Sequence, residues 1–206
     1  MSARITLLAA ASTSATAGAA FPADEPLDLR GRAGAAELAG TFARPGRVLC
    51  SPARPPARVA RETAAALSLD PVETAPLLAD LDAGRWAGRT LDDVAAAEPE
   101  GVGRWLADPD VAPHGGESVA RTIERASEWL ASLPAEGNLL AITHAAVVRA
   151  VLLDVLGAPA DRFWRIDVAP LTATVLRGAP GRWTLRSTGA PPRGRGALRR
   201  GPSAVG

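Results

Sequence analysis

The chain has 206 residues, 47% of them apolar, and a formal net charge of +1 at pH 7. That length and apolar share suit one domain with a single sizeable core, and the near-neutral balance gives no field for nucleic acid or an anionic membrane. A single cysteine, Cys50, excludes an intrachain disulfide and any zinc or iron–sulfur centre built on Cys, and fits a reducing cytoplasm.

Met1 to Ala20 carries one Arg, an apolar stretch and a small-residue end, the outline of a weak signal peptide. A first β-strand, Ile5 to Leu8, running into the polar loop Ser12-Thr13-Ser14 explains the same residues and is the reading expected here. Gly31 to Phe42 is rich in Ala, Glu and Leu and closes near Pro45, a helix pattern; Arg47 to Cys50 is a second short apolar strand. Pro56 to Leu67 is helix-prone, with Pro near its start. Asp70 to Asp110 is less regular, with short helices expected over Leu91 to Ala97 and Glu100 to Leu106, and is expected to form a lid over the strand ends.

Glu117 to Leu133 is the clearest helix, because Val119, Ile123, Ala126, Leu130 and Leu133 recur at intervals of three and four. Leu139 to Thr143 is a third buried strand. Ala145 to Leu156 is an apolar helix stopped by Gly157 and Pro159. Thr172 to Leu176 and Trp183 to Arg186 flank Gly178, Pro180 and Gly181, a hairpin signal at a sheet edge. Residues 190–206 are rich in Pro, Gly and Arg without apolar periodicity, which predicts a disordered tail. Alternating strands and helices over residues 1–189 therefore predict an α/β domain, a three-layer α/β/α sandwich around a mostly parallel sheet. No apolar run approaches the ~20 residues of a membrane-spanning helix.

Ligands of such sheets gather at the C-terminal ends of the strands. Leu140-Ala141-Ile142-Thr143-His144-Ala145-Ala146-Val147-Val148-Arg149 sets a lone His between a buried strand and a helix N-terminus, a position that favours anions. The segment resembles the second catalytic His motif, v-s-H-g-g-v-i-r, of the histidine phosphatase (phosphoglycerate-mutase-like) superfamily. Three more segments share the resemblance in the expected order. Pro113-His114-Gly115-Gly116-Glu117-Ser118 is similar to the G-E-S motif, Leu49 to Ala53 with Ala60 to Ala64 to the s-S-p-l-x-R-a-x-x-T-a region, and Asp82 to Gly88 to G-x-w-x-G. The resemblance spans roughly residues 4 to 177 and implies a phosphoglycerate-mutase-like fold. It also implies Glu117 as general acid and His144 as an electrostatic or general-base group.

The first motif departs from the pattern. Where the family has L-v-R-H-G-x-T, with a phosphorylated His and a phosphate-binding Arg, this chain reads Leu7-Leu8-Ala9-Ala10-Ala11-Ser12-Thr13. Aligned instead on a subgroup pattern, H-A-A-T-x-A-T-R, Ala10 again replaces His and Ala17 replaces Arg. The second family Arg is displaced as well: counting back from Thr63 reaches Val59, and counting forward from Ser51 reaches Pro55. Arg54 and Arg58 are left as candidate phosphate-binding neighbours.

Alanine offers no lone pair and no charge, so ordinary phosphoryl transfer is not expected. The leading expectation is a pseudophosphatase that binds a small anionic or phosphorylated molecule, with no metal or cofactor. One alternative is a repurposed enzyme using Glu117 and His144 for acid–base work on a small metabolite; another is a phosphomonoester hydrolase with a substitute nucleophile such as Cys50 or a bound water. Cys50 at a strand end reads more readily as an inert apolar residue. His114 is expected in a loop beside the pocket, Ser12 and Thr13 in the degenerate nucleophile loop, and the five tryptophans in packing. The sequence carries no signal of oligomeric state.

Overall fold

The computed structural model describes residues 2–42, 45–52 and 58–192. Its strands are β1 (Ala3–Ala9), β2 (Arg47–Cys50), β3 (Glu73–Thr74), β4 (Asn138–Thr143), β5 (Ala173–Ala179) and β6 (Arg182–Ala190). Its α-helices are α1 (Ser14–Ala17), α2 (Leu29–Glu37), α3 (Arg58–Ala66), α4 (Leu91–Ala97), α5 (Pro99–Ala107), α6 (Val119–Ala131) and α7 (Ala145–Leu156). The strands form one sheet in the order β3-β2-β4-β1-β5-β6. The first four of these pair in parallel, and β5 and β6 add an antiparallel hairpin beside β1.

Successive side chains of a strand point to opposite faces, and this separates two layers of core. Ile5, Leu7 and Ala9 of β1, with Leu139 and Ala141 of β4, pack against α6 and α7. Leu8 of β1 and Ala10 just beyond its end, with Leu140 and Ile142 of β4, pack against α2 and α3. Leu7 and Leu8 have no exposed surface, so truncating either to Ala would cost about 2–5 kcal/mol. The fold is thus the α/β/α sandwich that the alternation of elements implied, with helices on both faces of a mostly parallel sheet.

Local chemistry sets the helix ends. Ser118 caps α6 by accepting the N–H of Arg121 at 3.1 Å. Gly157 ends α7 in the left-handed conformation at φ 60°, where glycine carries no side-chain penalty. A third apolar cluster lies within the irregular segment: Trp86, Val94, Val102 and Trp105 are buried together, with Phe21 packed against them. Trp86 and Trp105 meet edge to face, centroids 5.6 Å apart. The expected Arg54 and residues 193–206 of the expected tail lie outside the described residues.

Candidate functional site

The C-terminal ends of β1 and β4 are neighbours, since Ala9 sits opposite Thr143 and the N–H of Ala10 donates to the carbonyl of Thr143 at 2.7 Å. Beyond them the chain opens a cavity of about 480 Å³. Ala9, Ala10 and Ala11 form one wall, Ala145 and Ala146 in the first turn of α7 form another, and Val59 of α3 adds a third. Leu81, Ala83, Leu91, Trp105 and Leu106 close it from the irregular segment, which covers the strand ends as a lid would. That segment is stitched to the loop after β1: Phe21 donates to the carbonyl of Arg89, and Gly88 returns a bond to the carbonyl of Phe21, both at 2.9 Å.

Among the described residues the titratable groups lining the cavity are Glu25, Asp80, His144 and Arg149. His144 stands at the N-cap of α7. Its Nδ1 lies 3.3 Å from Oδ2 of Asp80, and both side chains are 8% exposed, so this polar pair is almost wholly screened from solvent. Nε2 of His144 is buried without a hydrogen-bond partner among the described residues. Such an atom is costly unless a partner is supplied.

Asp80 is held from behind. Arg125, on the buried face of α6, donates to the carbonyls of Leu77 and Ala79 at 2.7 and 2.8 Å and reaches that of Asp80 at 3.4 Å. Its remaining donors meet both carboxylate oxygens of Glu117, at 2.9 and 2.8 Å. Of the two expected site residues, His144 lines the cavity, whereas the Glu117 carboxylate is taken up by Arg125. The structure sets Asp80 beside His144, while Glu117 lies outside the cavity wall and fixes the arginine that orders the Asp80 segment. Asp80 carried a weak sequence signal: it precedes the Asp82 to Gly88 motif by two residues, inside an otherwise apolar run.

The other expected residues divide. Ala9, Ala10 and Thr13 line the cavity, and Ser12 does not. The hydroxyl of Ser12 donates to Asp28 at 2.9 Å and that of Thr13 to Glu25 at 2.9 Å, so both protons of this loop go to carboxylates. Arg58 stays outside the wall, paired with Glu62 at 2.6 Å on the exposed side of α3. Val59, where one count places the missing Arg, does line the cavity. Arg149, the last residue of the His144 motif, lines the cavity, donates to the carbonyl of Ile166 at 2.7 Å and lies over the rings of Phe163 and Trp164. Burial pushes its guanidinium below the ordinary value, with Asp167 and Asp80 opposing.

Cys50 is buried at the end of β2 in the α2/α3 core, outside the cavity wall. Burial raises its thiol, the nearby Arg61 only partly offsetting this. His114 lies in the turn before α6, is 1% exposed, sits against Trp86, centroids 5.0 Å apart, and does not line the cavity. Among the described residues no group of three or more His, Cys, Asp or Glu gathers as a metal site, and no helix is long and apolar enough to cross a membrane.

Comparison with known proteins adds kinship to this geometry. The family model described as histidine phosphatase superfamily, branch 1, matches residues 11–191. A bifunctional protein of Mycobacterium tuberculosis is 32% identical over 142 residues, which cover 65% of this chain and 39% of that protein, so the chain spans well under half of its length. Phosphoserine phosphatase 1 of Hydrogenobacter thermophilus is 27% identical over 147 residues, 68% of this chain and 69% of the relative. Among solved structures, the α-ribazole phosphatase of Shigella flexneri superposes with a TM-score of 0.77 at 23% identity, covering 91% of this chain and 96% of that one. Entamoeba histolytica phosphoserine phosphatase, solved as a His-to-Ala variant in complex with phosphoserine, gives a TM-score of 0.77 at 18% identity, covering 90% and 96%.

Proposed function

Because the chain belongs to the histidine phosphatase superfamily, branch 1, we propose that it is a member that has lost phosphohistidine chemistry and uses the strand-end cavity to bind a small molecule, a pseudophosphatase. The observation that carries this reading is Ala10, at the end of β1 on the cavity wall. A methyl group cannot attack phosphorus, and Ala9 and Val59 beside it cannot neutralise phosphoryl oxygens. Losing a covalent nucleophile from a unit that acts together costs on the order of a million-fold in turnover.

Several relatives are named as phosphatases, phosphoserine phosphatase 1 and α-ribazole phosphatase among them, which supports a small phosphorylated or anionic molecule as the inherited ligand class. That a His-to-Ala phosphatase of the same fold was solved with phosphoserine bound is a precedent for ligand retention without the imidazole. A single buried cysteine fits a cytoplasmic setting. The test is hydrolysis of an aryl phosphate by the purified chain, with steady-state and single-turnover measurements. The expected result is no turnover above buffer. Robust turnover, or isolation of a phosphorylated form of the protein, overturns the reading.

One observation favours a second reading, acid–base catalysis on a small metabolite: His144 and Asp80 form a buried pair at the cavity wall, as a proton-transferring couple would. Glu117 enters this reading through Arg125, which holds the Asp80 segment. A metabolite consumed by the parent chain and spared by both His144→Ala and Asp80→Asn would establish it. Cys50 as nucleophile is the weakest reading, since burial holds the thiol in its unreactive form.

A further inference from the structure

The inherited ligand class fits the charges of this cavity poorly. A phosphate monoester is dianionic near neutral pH and needs several donors or cations around it. The lining carboxylates, Glu25 and Asp80, bring two negative charges. Against them stand Arg149 and the N-terminus of α7, the latter worth about half a positive charge. His144 adds another only when protonated. Arg149 is also turned toward the Ile166 carbonyl and two aromatic rings, and the Thr13 proton is given to Glu25. Among the described residues the balance lies near zero, and a dianion would exchange its hydration for two carboxylates.

What the wall does offer is apolar surface. Ala10, Val59, Leu81, Trp105, Trp164 and Val168 are all on it, with His144 supplying an imidazole whose Nε2 has no partner among the described residues. A volume of about 480 Å³ lies in the range that holds drug-sized ligands, and such pockets combine mostly apolar walls with a few polar groups that fix orientation. Resting on the binding reading of this same site, we propose that the cavity takes an uncharged ring alcohol of two or three fused rings, its hydroxyl donating to His144 and its rings lying between the alanine wall and Trp105. The substitutions that removed phosphoryl transfer thereby changed the ligand class, from phosphate ester to the alcohol itself.

The test is calorimetric titration of the full chain at neutral pH with 2-naphthol and, separately, 2-naphthyl phosphate, which share the ring system and differ in charge. The alcohol is expected to bind at least about tenfold more tightly than the ester, roughly 1.4 kcal/mol. An ester that binds as tightly or more tightly overturns the proposal, as does failure of the alcohol to bind at millimolar concentration. Ala10→Phe, and the more exposed Ala146→Phe should the first not fold, are expected to abolish alcohol binding by filling the cavity; retained binding in a folded variant overturns the placement. Naphthol fluorescence in the ester titration reads hydrolysis independently. Release of naphthol would defeat the loss-of-chemistry reading, whereas the preference between alcohol and ester decides this proposal.

Discussion

Glu117 grips Arg125 through both carboxylate oxygens, eight residues apart along the first half of α6 and its lead-in, and the arginine in turn ties down the backbone that presents Asp80. The two side chains are 15% and 11% exposed. Removing one partner of a pair this buried leaves a charge stranded. Glu117→Ala is therefore expected to cost about 3 kcal/mol, which for a chain of this size lowers Tm by roughly 6–12 °C. Glu117→Gln, which keeps one acceptor, should cost less than half of that in thermal unfolding. A Tm within 2 °C of the parent for Glu117→Ala, ~0.5–1 kcal/mol on the same scale, would show that the clamp is dispensable.

Restoring the imidazole alone will not restore the chemistry. Ala10→His supplies a nucleophile but leaves Ala9 and Val59 as neighbours, so its aryl phosphatase rate is expected to stay within about tenfold of the buffer rate. The triple variant Ala9→Arg, Ala10→His, Val59→Arg adds the missing positive charge and should exceed the single variant by at least roughly a hundred-fold, the scale of one well-aimed transition-state donor. A single variant as fast as the triple would remove any catalytic meaning from Ala9 and Val59.

The Cys50 thiol makes a kinetic prediction. Because burial raises it above its ordinary value and hides it from solvent, alkylation of the native protein by iodoacetamide should run at least about a hundred-fold slower than that of free cysteine, and should become fast in denaturant. Native labelling at the free rate would place the sulfur at an accessible surface.

His114 links stability to pH. Its Nδ1 accepts the N–H of Gly116 at 3.0 Å, and burial against Trp86 pushes the imidazole below its ordinary 6.5, Asp82 opposing and Arg85 assisting. The unfolded chain therefore takes up the proton first as pH falls. The contribution of the neutral ring is complete above about pH 6.5 and is lost as pH drops through the lower folded value. The fall in Tm between pH 7.5 and pH 5 should be smaller in His114→Asn, which retains an acceptor for Gly116, than in the parent; equal slopes would show that His114 is not the titrating group.

The regular elements were legible where a pattern repeats. Ala145 to Leu156 and Leu91 to Ala97 form helices with the boundaries their sequences imply, and a turn at Pro180 and Gly181 joins β5 to β6 in the expected hairpin. The two-residue strand β3 had no pattern to show, because its pairing is set by β2 rather than by its own side chains. At the site, His144 was visible because one imidazole at a strand end is conspicuous. Its carboxylate neighbour was not, because Asp80 is brought there by an arginine about 45 positions further on, a long-range arrangement that local spacing does not encode.

Two backbones in this molecule cross with no room for a side chain between them. A Cβ on Gly84 would collide with the carbonyl of His114, and one on Gly116 with the carbonyl of Asp82. Asp82 to Gly84 leads into the aromatic roof of the cavity, and Gly116 leads into Glu117 and the α6 cap. Roof and clamp therefore meet backbone to backbone, and the roof joins the loop after β1 at the seam where Ala19 to Phe21 meets Gly88 to Leu91, through main-chain bonds and the Phe21 ring set against Trp86 and Trp105.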